Sequence, residues 1–125
     1  MNAHLPNKLQ KEELQGYVDT AAMRQQLVDQ LLKDLGVEDL KIELDSAAFF
    51  KELASEVAFT MKYFIENQPQ QLPNLIYRID LNEREVRIIL QNPEVDAAKA
   101  LADLIITREM KKVFYRNVYS GNIKI

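Results

Sequence analysis

The chain has 125 residues, 47% of them hydrophobic and 28% charged, with a formal net charge of -3. Such a composition fits one ordinary globular domain that buries its core without help from a disulfide or a metal, and it excludes disorder. There is no cysteine, and only 3 glycines and 4 prolines occur, which excludes disulfide frameworks, zinc-thiolate sites and thiol catalysis and disfavours turn-rich all-β folds.

The segment before Gln10 lacks the apolar run of a signal peptide, and no stretch reaches the length of a membrane span. A cytoplasmic protein is therefore expected. Asn7 to Leu35 then reads as a helix with a break near Gly16. Leu14, Tyr17, Val18, Ala21, Val28, Leu32 and Leu35 recur at helical spacing, and Gln25 takes a place where an apolar residue would fit. Asn7 and Gln10 have the spacing of a capping box, and Gly36 stands where a left-handed stop belongs.

Val37 to Leu44 is a connector whose Leu40, Ile42 and Leu44 alternate with charged residues, a short strand-like pattern. Asp45 is expected to cap a second helix reaching about Asn67. Its apolar arc, from Phe49 to Ile65, covers almost half the circumference, so this helix is expected at the centre of the core. Phe59 and Tyr63 fall outside that arc, one turn apart, on the face that holds Glu52, Glu56 and Glu66. Either another helix covers them or they form a contact patch.

Gln68 to Leu72 reads as a polar loop ended by Pro73. Leu75 to Leu81 alternates like a strand that could pair with 40–44, yet a helix is equally compatible. Asn82 and Glu85 predict a short helix from Glu83 to Gln91. Asn92 and Pro93 have the character of a cap and a first helical residue, so the last helix is expected over Pro93–Tyr119, with Ser120 and Gly121 ending it.

The predicted fold is mainly α: a small bundle of three long helices and one short helix, with α+β as the alternative if a minor two-stranded element forms. Residues 1–125 are read as a single helical domain, with an N-terminal tail over 1–7 and a C-terminal tail over 121–125.

The last helix has an apolar stripe that rotates along its length. Ala97, Leu101, Leu104 and Ile105 occupy one arc, and Ile106, Met110, Val113 and Phe114 a roughly opposite one. A helix packed along one side keeps one stripe, so this one must meet different neighbours or present a surface outward. The remaining arc carries Arg108, Lys111, Lys112, Tyr115, Arg116 and Tyr119. From Thr107 onward five basic residues face a single acid, Glu109. The plain expectation is that this basic end packs against acidic helices of the same chain.

Chemistry has few candidates. The only histidine is His4, in the expected tail, so no His-based metal site, proton relay or Ser-His triad can be assembled within the fold. The three glycines stand apart, which rules out a phosphate-cradling loop. Glu12-Glu13, Glu38-Asp39 and the Glu83/Glu85 pair fall in caps and connectors rather than in a magnesium-binding cluster. Glu109 sits in or beside the apolar stripe and needs a partner, which Arg78, Arg108 or Lys112 could provide. An ion pair is the expected role, against that of a catalytic acid.

The sequence thus leads to a non-enzymatic helical protein with no catalytic residue, cofactor or metal, acting by protein–protein contact as a homo-oligomer or as a small subunit of a larger assembly. The candidate surface is Phe59, Tyr63, Arg108, Lys111, Lys112, Tyr115, Arg116 and Tyr119, because tyrosine and arginine are favoured anchors at interfaces. The alternative is a nucleic-acid or phosphate-ligand accessory protein using the basic, tyrosine-bearing face, although the acidic whole argues against a nucleic-acid module.

Overall fold

A computed structural model describes residues 9–124. The expected tail 1–7, with His4 and Asn7, lies outside the described residues. Six α-helices follow one another: α1 (Lys11–Tyr17), α2 (Ala21–Leu35), α3 (Phe49–Asn67), α4 (Leu72–Ile79), α5 (Glu83–Gln91) and α6 (Ala97–Tyr119), with a 3-10 turn at Pro69–Gln71. No strand occurs among the described residues, so the chain is mainly α.

The first predicted helix is in fact two. Gly16 lies inside α1, and the break falls at 18–20. There the Thr20 hydroxyl accepts the Met23 N–H at 3.2 Å and opens α2. Gly36 ends α2 as expected, with φ 68°, and the N–H groups of Gly36 and Val37 both reach the Leu32 carbonyl. The Arg78 guanidinium lies over this glycine, 3.5 Å from where a Cβ would stand.

The connector 37–48 forms no strand. Its alternation reflects burial alone: Leu40 is buried and Ile42 and Leu44 are half-buried. Arg24 of α2 holds it down by donating to the carbonyls of Leu44 (2.6 Å) and Ser46 (3.0 Å), with its guanidinium 4.7 Å from the Phe49 ring centre. Asp45 does not cap α3. That helix starts later, at Phe49, after a turn in which the Ser46 hydroxyl accepts the Ala48 N–H.

At Leu75–Leu81, where the pattern admits strand or helix, the fold takes helix. Leu72–Ile79 is helix, so the strand pattern and the polar loop before it give way to a 3-10 turn running into α4. Pro73 sits in the first turn, where its missing N–H costs nothing. Asp80 closes α4 in the left-handed region with φ 65°, a conformation that Asp tolerates better than most residues. The short helix α5 matches expectation, with the Asn82 side chain accepting the Glu85 N–H at 3.1 Å.

The last helix starts at Ala97 rather than Pro93, capped by Asp96, whose Oδ1 accepts the Lys99 N–H at 3.2 Å. Asn92 instead closes a turn on the Glu94 N–H. Asp96→Ala is therefore expected to lower stability by about 1 kcal/mol in urea unfolding, and Asn92→Ala by clearly less. Equal losses would place the functional cap back at Asn92.

The hub of the bundle is α6 and not α3. It packs against α3 over its largest interface and also touches α1, α2, α4 and α5. Leu101, Ala102, Ile105, Ile106, Met110, Val113 and Phe114 are all buried. The rotating stripe is thus the mark of a helix surrounded by different neighbours. Residues 121–124 fold back on the end of α6: Ile123 is buried, and Asn117 accepts the backbone N–H groups of Asn122 and Ile123 on its carbonyl.

Candidate functional site

The basic face of α6 meets the polar edge of α2. On α2, Gln26, Gln30 and Asp34 recur every four residues and so form one line along the helix. Lys112 Nζ donates to Asp34 Oδ2 at 2.7 Å and lies 3.0 Å from Glu109 Oε2. Gln30 Nε2 donates to Asp34 at 2.9 Å, and Arg116 in turn donates to Gln30 Oε1. Further along, the buried Asn117 amide donates to Gln26 Oε1 at 2.8 Å and to the Val113 carbonyl at 2.7 Å. A polar ladder therefore joins α2 and α6 from Asp34 to Gln26.

Glu109 is its most costly member. Its residue is fully buried, at 0% exposure. Lys112 is close but out of line, and neither carboxylate oxygen receives a directed hydrogen bond. Burial, reinforced by the adjacent Asp34, pushes its carboxyl up to about 8, against the opposing pull of Lys112. At Asp34 burial also works upward, but hydrogen bonds with Glu109, Lys112 and Gln30 outweigh it and hold that carboxyl below its ordinary value. The raised Glu109 carboxyl beside the lowered Asp34 favours one proton on Glu109 and one negative charge on Asp34, which Lys112 compensates. Of the three partners expected for Glu109, Lys112 is the one in place. Arg108 instead clamps Asp80, donating to its carboxylate at 2.9 Å and its carbonyl at 3.2 Å, and Arg78 lies over Gly36.

The eight candidate surface residues therefore separate. Arg108, Lys112 and Arg116 are engaged within the chain. Tyr115 is half-buried, its ring 5.1 Å edge-on from Phe114 and stacked 6.3 Å from Tyr119. Tyr119 is 76% exposed. Lys111 borders an open groove of about 610 Å³ between α1, the α4–α5 turn and α6, where Lys11 pairs with Asp103 at 2.7 Å and Arg108 with Asp80. Phe59 and Tyr63 are not covered by a helix: they are 72% and 49% exposed. Phe59 edges a shallow cleft with Leu40, Lys41 and Glu56.

Among the described residues, no group of three or more His, Asp or Glu side chains is placed to hold a metal, and no helix is long and apolar enough to cross a membrane. No protein-family model, curated protein or solved structure matches the chain. Sequence reasoning missed Gln26, Gln30 and Asp34, whose four-residue spacing was the available signal. Nor does the sequence mark the exposed apolar side chains of α4 and α5, because the pattern of Leu75–Leu81 fits strand and helix alike.

Proposed function

We propose that this chain is a non-enzymatic, cytoplasmic helical protein that works by contact with protein chains, as a homo-oligomer or as a small subunit of a larger assembly. One observation carries the reading: Phe59 and Tyr63 stand one turn apart on the polar face of α3 and face solvent. Large aromatic rings left bare on an otherwise charged helix face cost hydration free energy that a partner recovers. The buried state of Glu109 supports the non-enzymatic part, since a carboxyl with no exposure has no path to a substrate. The phosphate-ligand alternative has less support, because three of its four cations already face acceptors within the chain.

Light scattering on the Phe59→Ala/Tyr63→Ala double variant tests the reading. The variant is expected to keep its helical circular dichroism while its mass falls below that of the parent chain across a concentration series. An unchanged mass with the fold intact would remove this face as a self-contact.

A further inference from the structure

A cleft of about 550 Å³ is lined by α3 and α6, with Lys11 of α1 beside them. Lys51, Ala54, Ser55 and Ala58 share one face of α3 at i, i+3, i+4 and i+7, and α6 contributes Lys99, Ala100 and Asp103. Ala54, Ala58 and Ala100 are half-buried. Their side chains stop at Cβ, so the recess among the lysines stays unfilled. Its volume falls within the range of small-molecule sites, about 300–1,000 Å³.

Charge singles this cleft out. It sets three lysines, Lys11, Lys51 and Lys99, against one acid, Asp103. Lys11 is held on Asp103 at 2.7 Å. Lys51 and Lys99 are exposed and form no ion pair among the described residues. Other clefts on the described surface carry no such excess. The 610 Å³ groove balances its three cations with Asp80, Glu85 and Asp103. The cleft beside Phe50 balances Lys11 and Lys51 with Glu12 and Asp103, and the Phe59 cleft sets two acids against Lys41. A basic recess on a chain of net charge -3 draws anions to one place against the overall field. Its cations are all lysines. The planar fork of arginine matches a carboxylate, whereas the lysine ammonium is a compact point charge that serves phosphate, and the Ser55 hydroxyl adds a donor. We infer that the α3–α6 cleft binds a small soluble ligand carrying two or more phosphate charges, anchored by Lys51 and Lys99 with Lys11 alongside. This site uses other cations than the basic end of α6, and it goes beyond the Phe59/Tyr63 reading without depending on it.

Isothermal titration with pyrophosphate tests the site. The parent chain is expected to form a one-to-one complex, with amide NMR shifts concentrated at Ala54, Ser55, Ala58 and Ala100. Lys51→Gln/Lys99→Gln keeps the core, because both side chains are exposed, and should weaken binding by about ten-fold or more. Lys33→Gln/Lys124→Gln removes the same charge from exposed positions outside the cleft and should leave the affinity within about two-fold. Citrate, whose charge lies on carboxylates, should bind about ten-fold more weakly than pyrophosphate. Absence of binding to the parent, equal losses in the two lysine variants, shifts centred outside the cleft, or citrate bound as tightly would each overturn the inference. Binding to phosphatidic-acid vesicles but not to pyrophosphate would assign these lysines to a membrane surface and overturn it as well.

Discussion

Lys112→Met is expected to lower the stability of the chain by about 3 kcal/mol at pH 7, the scale on which removing one partner of a buried ion pair is felt. Lys112 is mostly buried, with its Nζ between Asp34 and Glu109. Methionine preserves much of the packing volume while withdrawing the one cation that, among the described residues, contacts the two carboxyls. The ionised Asp34 then keeps the hydrogen bond from Gln30 but loses its counter-charge. The loss should therefore shrink when Asp34→Asn is added, since the amide carries no charge that needs neutralising. A urea-unfolding cycle of the two single variants and the double variant measures the coupling. A coupling near zero would mean that Lys112 acts through its methylene stem alone.

Glu109→Gln is expected to remove a loss of stability that the parent chain shows between pH 5 and 8. Glu109 in the native chain holds its proton up to about pH 8, against an ordinary 4.5 when unfolded. Between those values the native state binds the extra proton, so stability is full below about pH 4.5 and declines as pH rises through 8. The slope from this one group approaches about 1.4 kcal/mol per pH unit in mid-window. Asp34 has the opposite sign: its carboxyl is lowered, so its contribution is present above its ordinary value of 3.8 and is lost as acid protonates it. The two together put the most stable pH of this cluster at about 4 to 5, on the acid side of the range common for globular proteins. Glutamine cannot ionise and still offers an N–H donor to Asp34. The variant should match or exceed the parent at pH 7 and lose most of the decline between pH 5 and 8. If the parent shows no such decline, Glu109 is ionised in the fold and its neighbours compensate it fully.

Much of the local structure was determined by the sequence itself, because helical periodicity and caps act over three or four residues. The Gly36 stop, the Asn82 cap with Glu85, the end of α3 at Asn67 and the end of α6 near Ser120 follow from such short-range chemistry. So does the requirement that Glu109 have a partner, since an acid on an apolar stripe is costly wherever the stripe packs. Tertiary structure decided what short spacing cannot encode. Leu75–Leu81 sets Leu75, Tyr77, Ile79 and Leu81 at alternate positions, with Ile76, Arg78 and Asp80 between them, a pattern that both a strand and a helical turn satisfy. Helix won where Pro73 could sit in a first turn and α4 could pack against α2 and α6. The α6 stripe announced more than one neighbour without naming them, and only packing made α6, not the more apolar α3, the hub. The pairing of Lys112 with Asp34 spans 78 positions, a distance over which no periodic pattern carries information. The charge pattern leads to a basic end packed on helices of the same chain, but that the receiving edge is Gln26, Gln30 and Asp34 is decided only when α2 and α6 come together.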